Sequence, residues 1–302
     1  MKILITGTNG QVGYYLNKKL SPFFEVFGVT RESFDLTNLI QMEKVIDNIK
    51  PDLIINPAAY TYVDQAEKDL EIVSKINHKA PEFLALKTKK LGIPLIHFST
   101  DYVFDGLKEA AYCEDDKANP KSIYGKSKYD ADVAIIKNNE DHIIIRTGWV
   151  YSLKGKNFLT TILNIAKIKN SLNVVSDQIG APTSASFIAN TIFEIVKRKD
   201  EIKKNNLYGI YNLTSSGEAS WYDFAKTIID NANELQLKIK CMPNDISPIN
   251  TSDFAALAFR PKNSLLDNHK IMKAFGIKPP NWKNELKIIM NEIALDNKND
   301  IK

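Results

Sequence analysis

Residues 7–13 read GTNGQVG, directly after the short apolar run KILIT (2–6) and opening into the helical pattern QVGYYLNKKL (11–20). Gly7, Gly10 and Gly13 fall in G-x-x-G-x-x-G spacing. Glycine there lets a strand-to-helix turn tighten and lets the backbone approach a pyrophosphate. The helix N-terminus adds N–H donors and a positive dipole. A glycine turn alone is common; the strand–turn–helix setting points to a dinucleotide. Asn9, Gln11 and Val12 share that turn and join the candidate cofactor site. No Gly-Lys-Ser/Thr follows, which excludes a P-loop.

The pattern continues as alternating strands and helices. FEVFGVT (24–30), DLIINPAA (52–59), IPLIHFST (93–100) and HIIIRTGWV (142–150) read as strands. Between them, helices are predicted over 39–51, stopping at Pro51, over about 72–91, ending at Gly92, and from about Tyr124. This alternation predicts an α/β fold, a doubly wound parallel sheet with helices on both faces. After Trp149 the rhythm changes. A helix at 158–169, a short strand LNVVS (172–176), an irregular DQIGAPTSA, further elements near 185–198, 208–213 and 220–232, a Pro-containing loop 243–261 and two terminal helices read as a smaller interleaved lobe. The expected division is 1–150 with about 184–238 as the dinucleotide unit, and 151–183 with 239–302 as the substrate lobe. The last residues, DNKNDIK (296–302), read as a frayed polar tail.

Charge is balanced, 40 basic against 36 acidic residues, and the lysines are scattered, so nucleic acid is disfavoured. The two cysteines, Cys113 and Cys241, are far apart, and the four histidines lack ligand spacing; no metal site is expected. No signal peptide or membrane span is read, which leads to an expected cytoplasmic protein.

The strand ending at Ser99 and Thr100 leads to Asp101 and Tyr102, then to SIYGKSKYDA (122–131). Tyr124 and Lys128, at i and i+4, share one helix face. An ammonium near a phenol favours the phenolate and lowers its pKa from about 10. Thr100 ends a strand at the carboxyl side, where doubly wound folds bind ligands. A surface Tyr–Lys pair is the bland alternative; the position after a dinucleotide turn and a Ser-Thr strand end favours chemistry. After the second strand stand Thr30 and Arg31 rather than an acidic residue, which suits a 2′-phosphate and leans to NADPH, with NADH possible. Asp35 and Leu36, and Ala58, Ala59, Tyr60 and Thr61, follow strands and should border the adenine and nicotinamide sides.

GTNGQVG, STDYVFDG, YGKSK, RTGWVY and DQIGAPT, with RPKNSLLD (260–267) and Trp282, together resemble the extended short-chain dehydrogenases/reductases, and within them the dTDP-4-dehydrorhamnose reductase family. The resemblance spans nearly the whole chain and implies a Rossmann-like fold. It implies that Tyr124 is the general acid, that Thr100 binds the reacting oxygen, and that Lys128 holds the nicotinamide ribose and lowers the Tyr124 pKa. Ser99 would join the cofactor side. Thr100, Asp101, Tyr102 and Trp149 would border the sugar, with Gln178, Ala181 and Thr183 in the substrate-side loop. Phe158 and Arg260 would contact the nucleoside diphosphate. The implied reaction is reduction at C4 of a nucleotide-linked 4-keto-6-deoxyhexose.

Pro57, Tyr60 and Gly148 depart from the family pattern, where a small residue, a histidine and a serine are usual. Tyr14 and Tyr15 stand where some members carry a glutamate of a metal-bridged dimer, so a monomer or weak homodimer is expected. Tyr102 after Asp101, in place of a glutamate, argues against a 4,6-dehydratase. Related 4-ketoreductases on other dTDP- or UDP-hexuloses, an NAD-recycling epimerase and a non-catalytic NADP-binding regulatory subunit are the rival readings.

Overall fold

The computed structural model describes residues 1–299; residues 300–302 of the polar tail lie outside the described residues. Six strands form one sheet: β1 (Lys2–Ile5), β2 (Glu25–Gly28), β3 (Leu53–Asn56), β4 (Leu95–Thr100), β5 (His142–Thr147) and β6 (Gly209–Asn212). Their order is β6-β5-β4-β3-β1-β2 and every pair is parallel. The doubly wound α/β expectation holds.

Side-chain alternation along each strand divides the apolar residues between two faces. Ile3, Ile5, Leu53, Ile55, Ile96, Ile143 and Ile145 face one core, shared with α1 (Gln11–Leu20) and Ala185–Lys197. Leu4, Ile54, Leu95 and Ile144 face the other, with α2 (Leu39–Ile49), α3 (Ala80–Leu91) and α4 (Ile123–Asn138). The stop signals read from sequence act as expected: Lys50 closes α2 in a left-handed conformation before Pro51, and Gly92 closes α3 at φ +67°.

Away from the sheet, a second core gathers α5 (Phe158–Ala166), α7 (Trp221–Glu234) and α9 (Trp282–Asn299) around Tyr151, Phe224 and Trp282, while α6 (Ala185–Lys197) stays with the first. Two placements differ from the sequence division. The apolar face of α7 (Phe224, Ala225, Ile228, Ile229, Ala232) packs in this second core, although its segment was grouped with the dinucleotide unit. Conversely Ile271 and Phe275 of α8 (His269–Phe275), with Ile277, pack in the first. An amphipathic pattern states that a face is buried but not against which core.

The Pro-containing loop hides a strand, Ile246–Ile249, parallel to Leu172–Val175. Pro248 is tolerated because this ribbon has only two strands, so each is an edge. Among the described residues no helix is long and apolar enough to cross a membrane.

Candidate active site

The glycine turn is built for close approach. Gly7 has φ +59°, and a Cβ there would lie 2.9 Å from the Ala58 Cβ. A Cβ on Gly13 would lie 2.2 Å from the Gly7 carbonyl oxygen, so α1 starts directly on the turn. Gly10 caps α1 without a side-chain hydrogen bond. The first-turn N–H groups have no partner within the helix and are free to receive an anion. Asn9 is exposed and Val12 half-buried beside this turn. Gln11 reaches the other way: its Oε1 accepts from Ser152 Oγ at 2.9 Å, tying the turn to the lobe. The cradle therefore fits a dinucleotide pyrophosphate.

Arg31 is exposed and makes no ion pair among the described residues. Its neighbour Thr30 donates to Glu32 at 2.8 Å. Asp35 accepts from the Thr37 N–H and hydroxyl, an Asx turn that fixes the loop, and Leu36 is buried in the core. After β3, Ala58, Ala59 and Tyr60 are half-buried and Thr61 exposed. The Tyr60 hydroxyl donates to Asp69 at 2.6 Å, and that bond pushes its pKa up to about 12. The departure at position 60 is thus absorbed by a neighbouring carboxylate.

The sequence reading missed Asn77. It lies in a π-helical turn, Lys75–Lys79, and is fully buried. Its Oδ1 accepts from the Tyr60 N–H at 2.8 Å, and its Nδ2 donates to the Tyr60 carbonyl and to Ser127 on α4. It clamps the post-β3 loop to the helix carrying Tyr124. A π-turn inside a long helix often marks a functional site, but no local pattern announces it.

Thr100, at the end of β4, is buried; its hydroxyl donates to Asp101 Oδ1 at 2.9 Å and accepts from the Tyr102 N–H at 3.2 Å. Ser122 caps α4, accepting from the Gly125 N–H, and so aims the first turn at the strand end. A Cβ on Gly125 would lie 2.2 Å from the Tyr102 carbonyl oxygen, so glycine lets α4 sit against that segment. Tyr124 packs edge-on against Tyr102, with ring centroids 5.6 Å apart.

Burial pushes the Tyr124 phenol well above its ordinary value, opposed by the Thr100 hydroxyl beside it. The expectation that Lys128 lowers the Tyr124 pKa is not met: desolvation dominates, and the Lys128 amine lies instead 3.0 Å from His97 Nε2. Lys128 itself is 2% exposed, and burial brings its pKa down to about 8. Asp101 is equally deep, and burial raises it to about 6. Ser99 Oγ, Asp101 Oδ2 and Thr147 Oγ1 are buried without hydrogen-bond partners among the described residues at this end of the sheet. Such orphaned groups are costly unless a ligand satisfies them.

On the lobe side, Trp149 stacks face to face on Trp221, with centroids 3.4 Å apart and planes 1° from parallel. Phe158 packs on Trp221 in turn. Trp221 was not singled out from sequence. Its Nε1 donates to Gln178 Oε1 at 3.1 Å, while Gln178 Nε2 donates to Thr251. Both ends of Gln178 are thereby engaged, one by Trp221 and the other by Thr251. Thr183 is fully buried; its hydroxyl donates to the Ala181 carbonyl and accepts from the Ser215 N–H. The structure thus gives Thr183 a loop-tying place rather than an open hydroxyl. Arg260 crosses the cleft, pairing with Asp64 at 2.5 Å and donating to the Tyr102 hydroxyl at 3.3 Å. Asp64 also accepts from the Leu257 and Ala258 N–H groups.

The family described as "RmlD substrate binding domain" matches residues 1–295. A dTDP-4-dehydrorhamnose reductase of Sinorhizobium fredii is 38% identical over 301 residues, 99% of each chain. A crystal structure of a dTDP-4-dehydrorhamnose reductase from Clostridium acetobutylicum superposes with a TM-score of 0.89 at 35% identity, covering 97% of this chain and 99% of that one. The Bacillus anthracis dTDP-4-dehydrorhamnose reductase, solved in complex with NADP, gives 0.88 at 33% identity, covering 96% and 99%. On sequence and fold together, the chain belongs to the RmlD substrate-binding-domain family, that of the dTDP-4-dehydrorhamnose reductases.

Proposed function

We propose that this protein is an NADPH-dependent reductase that converts dTDP-4-dehydro-L-rhamnose to dTDP-L-rhamnose by reducing the C4 keto group. The observation that carries this is the meeting of Thr100, Tyr124 and Lys128 at the carboxyl end of β4, next to the glycine cradle, in a chain of this family.

Gly7, Gly10 and Gly13 with the α1 N-terminus would hold the pyrophosphate, Arg31 the 2′-phosphate, and Lys128 the nicotinamide ribose. Bound NADPH supplies the hydride for the carbonyl carbon. The chain works on the oxygen. A phenol held well above its ordinary pKa remains protonated, so Tyr124 is kept as an acid. It gives its proton to the oxygen as charge builds there. Thr100 donates a second hydrogen bond to the same oxygen and turns away from Asp101 to do so. The stacked Trp149 and Trp221 offer a flat apolar wall for the sugar, and Arg260 a charge for the diphosphate. The protein would act as a cytoplasmic monomer or weak homodimer, checked by light scattering of the purified chain.

The test is oxidation of NADPH, and separately of NADH, with enzymatically generated dTDP-4-dehydro-L-rhamnose. Rapid oxidation of NADPH, lost in Tyr124→Phe with NADPH binding intact, supports the reading. Binding of NADPH without oxidation would instead favour another hexulose or a regulatory role, and full activity in Tyr124→Phe would remove the proposed acid.

A further inference from the structure

A line of buried polar side chains runs behind the site to Lys128, and the members before it have no part in the reaction as described. Thr6, Asn56, His97 and Lys128 are each no more than 2% exposed. The Thr6 hydroxyl donates to Asn56 Oδ1 at 2.6 Å. Asn56 Nδ2 lies 3.1 Å from His97 Nδ1, and His97 Nε2 lies 3.0 Å from Lys128 Nζ. The Ala58 N–H donates to Thr6 Oγ1 at 3.3 Å, closing the far end. The line crosses three neighbouring strands and ends on the amine that would hold the ribose.

Hydrogen-bond arithmetic restricts this chain. An amide nitrogen only donates, so with Nδ2 facing it, His97 Nδ1 must be the bare, accepting nitrogen. The proton of the neutral ring then sits on Nε2 and points at Lys128. An amine can accept there only through its lone pair, that is, uncharged. An ammonium group instead needs Nε2 bare, which moves the ring proton to Nδ1 and requires Asn56 to turn its oxygen to the ring. Each charge on Lys128 therefore has its own direction of donors. Burial and the neighbouring Lys128 hold His97 well below its ordinary pKa, so the ring is neutral in both. The other charged group bearing on the amine, Asp132 on the same helix, is engaged with Arg146 on β5 at 3.2 Å.

We propose that His97 is a positioning residue for Lys128: a permanently neutral imidazole whose tautomer, linked through Asn56 to Thr6, seats the amine and couples its charge to the direction of the buried chain. With Lys128 uncharged the donors run from Thr6 through Asn56 and His97 to the amine; with Lys128 charged they run back from the ammonium through His97 to Asn56. Its consequence for turnover rests on the reductase reading above; the tautomer itself does not.

Long-range nitrogen–proton NMR of the full chain with ¹⁵N-histidine reads the tautomer directly. The four histidines are few enough to resolve, and His97→Gln identifies the signal. The expected result is a ring that stays neutral from about pH 5.5 to about 9.5 and exchanges an Nδ1 proton for an Nε2 proton as the pH rises through about 8, where Lys128 loses its charge. A ring that becomes imidazolium in that range, or one whose tautomer is the same on both sides of that step, overturns the proposal. Kinetics give a second reading. A glutamine amide reaches the Nε2 position and either donates or accepts, so His97→Gln should keep kcat within about threefold. His97→Leu removes the seat and should lower kcat at least about tenfold, move the alkaline limb of the pH profile, and leave the KM for the sugar nucleotide nearly unchanged. Equal impairment of two folded variants, or a wild-type profile in His97→Leu, refutes it. The NMR result decides the proposal even where the sugar nucleotide is not turned over, so failure of the reductase reading remains distinguishable.

Discussion

Gly148 and Asp101 share one space: a Cβ built on Gly148 would lie 2.6 Å from the Asp101 carboxylate carbon and from its Oδ2. The glycine is what lets this carboxylate sit beside Thr100 at the end of the sheet. Gly148→Ala should push Asp101 off Thr100 and disturb the hydroxyl proposed to bind the reacting oxygen. The expected cost is about 1–3 kcal/mol of stability with a clear fall in kcat. Chemical denaturation and NADPH oxidation check both. Wild-type values in the variant would mean that the carboxylate has room to move.

Asp101 also predicts a pH dependence of stability. Its folded pKa is raised to about 6, so the folded protein holds this proton more tightly than the unfolded chain. Stability is therefore lost as pH rises through the window between the ordinary carboxylate value and about 6, by at most about 3 kcal/mol. Asp101→Asn lacks this contribution. Relative to wild type, it should gain stability between about pH 4 and about pH 7.5 in urea titrations. A difference that does not change with pH would show that Asp101 ionises freely in the fold.

Gly125→Ala tests the seating of α4. The new methyl would meet the Tyr102 carbonyl oxygen, a backbone atom that cannot rotate away. The helix must shift, and Tyr124 and Lys128 shift with it. A destabilisation of about 1–3 kcal/mol and a drop in kcat larger than the rise in NADPH KM are expected. Thermal melts beside steady-state kinetics make the comparison; unaltered kcat in a destabilised variant would separate seating from catalysis.

Trp221→Ala should free both Trp149 and Gln178. The stacked indoles give a strong near-ultraviolet dichroism band, which should collapse. The KM for the sugar nucleotide should rise while NADPH binding is kept, because the stack lies on the lobe side. Loss of NADPH binding instead would place Trp221 nearer the cofactor.

Much of this was legible in the chain. The strand end at Thr100, and helix stops at Pro51 and Gly92, are written in apolar runs and turn residues whose physics is local. Tyr124 and Lys128 follow from helical spacing once the helix is placed. The rest depends on contacts distant in sequence. Ile246–Ile249 becomes a strand only because Leu172–Val175 lies beside it. Nothing local marks Trp221, and Trp149, which stacks on it, lies 72 residues earlier. The effect of Lys128 on Tyr124 was read from proximity along a helix, and His97, on another strand, redirects it.

The buried polar line from Thr6 to Lys128 has a consequence for how the chain finds its fold. Asn56 and His97 are register partners between β3 and β4. Strand pairing of near-uniform isoleucine and leucine would otherwise tolerate slippage, since one aliphatic run pairs with another almost as well. A slip of one residue here turns Asn56 and His97 to opposite faces and strands polar groups in hydrocarbon, at about 1–3 kcal/mol for each group left unpaired. Misaligned sheets are penalised at the place where the amine must be held, so a chain that reaches its stable register has wired its own active site.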